Sequence, residues 1–288
     1  MITLVEHGSE KIGRSVFTTP ATVLAHFGEE LSYADIANGL YLFEPEDQKK
    51  ILAGMKQKQL QFWNSIDTVE YYRDTHWQLP GMEEHALRTL QSLTVQNGSV
   101  VVDLGCGWGR VAEQLLKLKL DFQYIGFDFS DEMLKTARKH IRELGDGRVL
   151  FYNHDLTQGI PLGDNYTDRI LANWGIVYFP QDELKFALSE VNRVLKPGGI
   201  FVCAAIVEGA SFVLLAIRSL FSRPIKSFKK RKVIKKGMRF GACIKKLFPL
   251  YTKEQLSLMI TEAGQLEIID MYPTIAERNI NIVARKPA

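Results

Sequence analysis

The sequence predicts an α/β protein built on a mostly parallel sheet, and three observations carry that expectation. From Ser99 to about Ile206, short β-branched runs alternate with helical windows, the pattern of successive strand–helix–strand units. The first of these strands ends at Leu104 and runs directly into Gly105, Gly107 and Gly109. The last two strand-like runs, 266–271 and 280–284, follow each other closely and suit an antiparallel pair at one sheet edge.

Element by element, residues 1–98 have a helical texture. Residues 47–62 carry an i, i+3, i+4 apolar face, and 83–93 begin just after Pro80 and Gly81, so this region is expected to form a helical extension that serves as lid or wall. In the second region, 99–288, strands are expected at 100–104, 124–127, 149–152, 169–173 and 200–205. Helices are expected at 111–118, 131–144 and 183–194, with the turn Lys196-Pro197-Gly198-Gly199 before the fifth strand. A helix at 253–263 precedes the final strand pair, and residues 207–250 stand out as an insertion.

A chain of 288 residues with 46% apolar and 24% charged side chains fits one large globular domain or two small ones. No stretch approaches the ~20 apolar residues of a membrane span, and the richest, 211–221, already contains Arg218. The N-terminal segment carries Glu6 and Glu10 and lacks the apolar core of a secretory signal, which points to a cytoplasmic location. Cys106, Cys203 and Cys243 lie too far apart to form a disulfide framework or a zinc pair, and no metal site is expected. Net charge is +3, yet 218–246 holds 12 Lys and Arg and no acid, so the remaining residues sum to −9. Such a local concentration points to one surface with an anionic partner.

The segment Asp103-Leu104-Gly105-Cys106-Gly107-Trp108-Gly109-Arg110 decides the ligand class. Glycines without Cβ let a ligand approach the backbone closely. A dinucleotide fingerprint wants glycine or alanine where Arg110 stands. The Asp103 carboxylate just upstream would repel a pyrophosphate and hold an ammonium group, so the charge sign favours a sulfonium nucleoside such as S-adenosylmethionine. Asp128 ends the second strand, where a carboxylate accepts from two ribose hydroxyls. Asp155, after the third strand, is placed to accept from an adenine amino group.

Taken together, DLGCGWGR, GFDFS, NHDL, DRILANWGIVYF, RVLKPGGIFV and the tail YTKEQLSLMITEAG…NIVARKP resemble the class I S-adenosylmethionine-dependent methyltransferases, of the small-molecule type found in quinone biosynthesis. The resemblance covers about 100–288 apart from the basic insertion. It implies a Rossmann-like seven-stranded, mostly parallel sheet with an antiparallel last strand, an N-terminal helical extension and a helical lid insertion. It further implies that Asp103, Gly105, Cys106 and Gly107 face the methionine end of the cofactor, Asp128, Phe129 and Met133 the ribose and adenine, Asp155 and Leu156 the adenine edge, and Asn173 the cofactor beyond the fourth strand.

Methyl transfer from a sulfonium is an in-line displacement in which positioning and desolvation supply most of the rate, so no catalytic triad or metal is required. Tyr178 and His154 are the candidates for a catalytic side chain; Trp174, Tyr178, Tyr72 and Arg73 are those for substrate contact, with Arg73 also placed to meet the cofactor carboxylate. An apolar run feeding a cationic one, 211–246, suits a small hydrophobic acceptor with an anionic group, such as a lipid, an isoprenoid or a quinone precursor, or peripheral contact with an anionic membrane. An RNA substrate is the runner-up, and a methyltransferase-like partner subunit without activity is the alternative from another class.

Overall fold

The computed structural model describes residues 19–79, 81–143, 147–207, 228–274 and 279–288. A seven-stranded sheet runs in the order β3-β2-β1-β4-β5-β7-β6. Its strands are β1 (Ser99–Leu104), β2 (Phe122–Asp128), β3 (Val149–Asn153), β4 (Thr167–Asn173), β5 (Leu195–Ile206), β6 (Glu267–Thr274) and β7 (Asn279–Arg285). The first five pair in parallel, and β7 lies antiparallel between β5 and β6. The order reverses between β1 and β4, so a crevice opens at the carboxyl ends of those two strands.

Strand alternation sorts the core into two layers. Val102, Leu104, Ile125, Phe127, Ile170, Phe201 and Ile282 face one side, and Val101, Tyr124, Leu171, Val202 and Val283 the other. In the β1–β7 part of the chain, α6 (Arg110–Leu116) and α7 (Asp131–Glu143) cover the second layer. The first is covered by α8 (Gln181–Val194) and α10 (Lys253–Glu262). Their buried residues recur at helical spacing: in α8 these are Leu184, Ala187, Leu188, Val191 and Val194.

Ahead of the sheet lie α1 (Pro20–His26), α2 (Tyr33–Gly39), α3 (Pro45–Asn64), α4 (Ile66–Glu70) and α5 (Met82–Leu93). Residues Tyr71–Thr75 form a π-helical turn between α4 and α5. Both α1 and α2 begin with reciprocal caps, Thr19 with Thr22 and Ser32 with Asp35. Val23, Phe27, Leu31, Ile36, Ile51 and Met55 give these helices a small core of their own. Within the expected insertion, α9 (Phe228–Leu247) is a helix whose Gly237, Gly241 and Ile244 are buried, while Arg239, Lys245 and Lys246 are exposed. Its Phe240 ring stacks on Tyr71 at 3.9 Å. The apolar run 211–221 and the N-terminal segment discussed above lie outside the described residues.

Strands and long helices fall within a few residues of expectation. The largest difference is β5, which begins at Leu195 because the Lys196–Gly199 turn itself pairs: Gly198 N–H donates to Lys286 O and Lys286 N–H to Gly199 O.

One contact clamps the crevice. A Cβ on Gly175 would lie 2.0 Å from the Leu104 carbonyl oxygen, and one on Gly105 2.7 Å from Gly175 Cα. The β1 and β4 loops therefore touch backbone to backbone. Gly175→Ala is expected to destabilise the protein by about 3 kcal/mol in urea denaturation, because rigid backbone rather than a flexible side chain must move. An unchanged midpoint would contradict this packing.

Candidate active site

The β1 exit loop is built by its glycines. Gly105, Gly107 and Gly109 all have positive φ (82°, 53° and 84°), and Gly105 and Cys106 N–H donate to the Phe127 carbonyl. Each glycine has a separate reason. A Cβ on Gly109 would press Phe151 and Ala137, whereas one on Gly107 would meet only Met133 Sδ at 3.9 Å. The side chain missing at position 107 thus leaves room for a ligand.

A cavity of about 480 Å3 lies along this loop and the ends of β2, β3 and β4. That volume is in the range of small-molecule sites. Its floor includes Asp103, Gly105, Cys106, Gly107, Asp128 and Phe129, together with Met133, Asp155, Leu156 and Asn173. All ten residues expected at the cofactor therefore share one cavity. Its roof is α3, through Leu52, Met55, Lys56, Gln59, Leu60 and Trp63, with Tyr72, Trp77 and Phe248 beside it. Ser130 Oγ donates to the Trp63 carbonyl, and Gln59 Nε2 to the Leu247 carbonyl, tying this roof to the β2 loop and to α9.

Two buried carboxylates dominate the floor electrostatically. Burial pushes Asp103 up to about 7; the Tyr124 hydroxyl, which donates to Oδ2 at 2.5 Å, pulls it down, and the Asp128 charge raises it. Among the described residues its Oδ1 is buried without a partner. Burial likewise lifts Asp128 to about 6, against backbone N–H bonds that include Gly107 to Oδ2 and Ser130 to Oδ1, each 2.9 Å. Ser130 Oγ accepts from Met133 N–H and so caps α7, leaving Asp128 on the cavity floor. Asp155 behaves oppositely. Burial raises it, yet bonds from Thr157 and the nearby Lys56 outweigh that and hold it low. Lys56 Nζ donates to Thr157 Oγ1 at 3.0 Å and lies 3.7 Å from Asp155 Oδ2 and 3.6 Å from Glu183 Oε1.

Trp174, Tyr178, Tyr72 and His154 also line the cavity. His154 Nε2 lies 2.9 Å from the Gly159 carbonyl, which can only accept, so Nε2 carries a proton. Burial raises the phenols of both Tyr72 and Tyr178. The expectation for Arg73 is corrected. Its side chain is exposed and paired with the adjacent Asp74 at 2.6 Å, and it does not line the cavity, because the π-helical turn directs position 72 rather than 73 inward.

Several residues were not foreseen. Besides Trp174, which was expected there, the other three tryptophans of the chain, Trp63, Trp77 and Trp108, border this cavity. Beneath Trp174 sits His85 of α5, fully buried, with Nε2 3.1 Å from Asn173 Oδ1 and Nδ1 2.9 Å from Thr274 Oγ1. Trp174 adopts φ +60°, rare for a bulky side chain, and is held by stacking on His85 at 4.5 Å and by donation to Asn279. Burial lowers His85 to about 4, so it stays neutral and serves as a fixed hydrogen-bonding wedge. Among the described residues, no group of His, Cys, Asp or Glu is placed to hold a metal ion.

The cavity suits S-adenosylmethionine: its floor pairs an unpartnered buried carboxylate oxygen with a loop open at Gly107. Comparison with known proteins agrees. A family described as a methyltransferase domain matches residues 101–199. The demethylmenaquinone methyltransferase of Staphylococcus aureus is 25% identical over 190 residues, 65% of this chain and 77% of that protein. Two solved structures share the fold. One is the N-methyltransferase NodS of Bradyrhizobium japonicum in complex with S-adenosylhomocysteine (TM-score 0.55, 15% identity, 81% of this chain and 99% of that one). The other is the magnesium protoporphyrin IX methyltransferase of Synechocystis with the same ligand (TM-score 0.57, 16%, 80% and 99%). The chain thus carries a match to a methyltransferase domain over 101–199 and is similar in fold to class I S-adenosylmethionine-dependent methyltransferases.

Ionisation of Asp103 should be visible in stability. Its carboxyl rises from 3.8 to about 7 on folding, so its contribution is complete below the unfolded value and is lost as pH climbs through about 7. Asp103→Asn is expected to stabilise the ligand-free protein at pH 8 by on the order of 3 kcal/mol and much less at pH 4. Urea midpoints across that range check it; a variant equally stable relative to wild type at both ends would refute it.

Proposed function

We propose that the enzyme methylates a small hydrophobic acceptor bearing an anionic or hydroxyl group, such as a quinone precursor, an isoprenoid or a lipid. The observation that carries this reading is the aromatic wall of the cavity. Trp63 lies 5.6 Å from Tyr72, 5.9 Å from Tyr178 and 5.5 Å from Phe248, ring to ring, beside the cofactor floor. Flat apolar molecules gain most from such a surface. The similarity to a demethylmenaquinone methyltransferase supports the same acceptor class.

When bound, the cofactor supplies an electrophilic methyl group on a cationic sulfur. The chain's own residues hold it: Asp128 accepts from the ribose hydroxyls, Asp155 and Leu156 meet the adenine edge, and Phe129 and Met133 cover the ring. Asp103 takes the ammonium group. Tyr72 and Tyr178 keep their protons at neutral pH, which suits them to donate to an acceptor oxygen and not to act as bases. The aromatic wall excludes water from the transfer.

Incubation with methyl-labelled cofactor and either demethylmenaquinone or a small-molecule lipid extract, followed by mass spectrometry, should yield a labelled hydrophobic product. Label appearing only in RNA would overturn the acceptor class. Asp128→Ala should weaken S-adenosylhomocysteine binding about a hundredfold by calorimetry, since two charge-assisted hydrogen bonds go with it.

The basic stretch within 211–246 completes the proposal: a cytoplasmic enzyme that touches anionic membrane surfaces where such acceptors reside. In the described residues no helix is long and apolar enough to cross a bilayer. Sedimentation with anionic vesicles should fall as salt rises, and should be lost on neutralising Lys229, Lys230, Arg231 and Lys232. Unchanged sedimentation of that variant would remove membrane contact.

A further inference from the structure

His85 of α5 is fully buried, and no step described so far uses it. It is the junction of a polar network that joins α5 to the end of β4 and to the last two strands. Its Nδ1 lies 2.9 Å from Thr274 Oγ1 and its Nε2 3.1 Å from Asn173 Oδ1. Thr274 Oγ1 in turn lies 3.4 Å from Asn281 Oδ1. Asn281 Nδ2 donates to Thr89 Oγ1 at 2.7 Å, and Thr89 donates to the His85 carbonyl at 2.8 Å.

Each proton of this network has one place. Thr89 gives its only hydroxyl proton to the His85 carbonyl, so its oxygen accepts from Asn281 Nδ2, and the Asn281 amide is fixed with Oδ1 toward Thr274. The Thr274 hydroxyl has one proton and two candidate acceptors. At 3.4 Å the Asn281 oxygen is beyond the roughly 2.5–3.0 Å of an O–H···O bond, whereas His85 Nδ1 is within reach at 2.9 Å. Nδ1 therefore accepts. Burial keeps the ring uncharged, so Nε2 carries the proton and donates to Asn173 Oδ1.

With its oxygen held in this way, the Asn173 amide keeps its N–H2 group. Among the described residues that group is uncommitted, and it is not sealed in the interior, so it opens on the cavity that Asn173 lines. Other donors line the same cavity. Trp77 Nε1 is buried without a partner among the described residues, and the Tyr72 and Tyr178 phenols keep their protons at neutral pH. An ammonium group, itself only a donor, gains nothing from such groups, whereas an oxygen with free lone pairs does.

We infer that His85 is a positioning residue that sets acceptor specificity: by holding Asn173 Oδ1 it turns the Asn173 N–H2 group toward the acceptor, and the site thereby selects a carbonyl or hydroxyl oxygen over an amine. The inference rests on the flat, oxygen-bearing acceptor class proposed above and adds the group that reads its oxygen. Stacking against Trp174 at 4.5 Å restrains the ring that makes this bond.

Nitrogen NMR of the His85 imidazole in the wild-type protein at pH 7 tests the orientation. A protonated Nε2 and a bare Nδ1 are expected, and the opposite tautomer would overturn the inference. Binding of two flat probes under saturating S-adenosylhomocysteine tests the specificity: menadione, and methylnaphthalene, which lacks menadione's carbonyl oxygens. His85→Leu should lower the preference for menadione about fivefold, the worth of one hydrogen bond. His85→Gln, whose amide still donates to Asn173, should retain most of it. Calorimetry should show S-adenosylhomocysteine affinity unchanged in both variants, and thermal melts establish that they fold. A preference untouched by His85→Leu, or an equal loss of S-adenosylhomocysteine affinity, would overturn the role in reading the acceptor. Wild type that binds neither probe, yet shows the expected tautomer, would instead strike the flat-acceptor reading itself.

Discussion

The contact between the backbones of Gly105 and Gly175 is the constraint from which the site follows. Side chains longer than hydrogen have no room at either position, so the loops leaving β1 and β4 are pinned together where the strand order reverses. Beyond the pin the β1 loop curls through three left-handed glycines toward Asp128. The β4 loop turns sharply at Trp174, whose unfavourable backbone angle is compensated by His85 and Asn279. One steric fact thus shapes the floor, places two acids on it and sets an indole against its edge.

The floor was largely legible from sequence because it is local. Asp103, Gly105, Gly107, Asp128 and Asp155 sit at strand ends, within a few residues of the signals that mark those ends. The sheet strands and the longer helices were legible for the same reason, since period two and period 3.6 show within a short window. By contrast α1, α2, α4 and the π-helical turn span five to seven residues each, too few to establish a period. In α9 the charges drew attention to the surface, while its packed side, Gly237, Gly241 and Ile244, is mostly backbone and small residues.

The roof was legible only as a helical lid or wall with Tyr72 in it; its aromatic contacts were not, because they are assembled from distant positions. Trp63 and Trp77 meet Trp108, Trp174 and Phe248 only after the chain has folded, and nothing in the spacing of tryptophans announces it. Arg73 and Arg110 show the same limit. Both precede or begin a helix near the site, and only the direction of one turn distinguishes the exposed arginine from the one facing the cavity. His85 was invisible for a different reason: a neutral, buried histidine has no sequence pattern, and its role exists solely through Asn173, Thr274 and the indole above it.

The division between floor and roof is also a division along the chain. Trp63, Tyr72, Trp77 and Phe248 lie outside the matched span 101–199, whereas Asp103, Asp128 and Asp155 lie within it. A change at any of those four covering residues therefore reshapes the wall of the cavity without altering the acids beneath it.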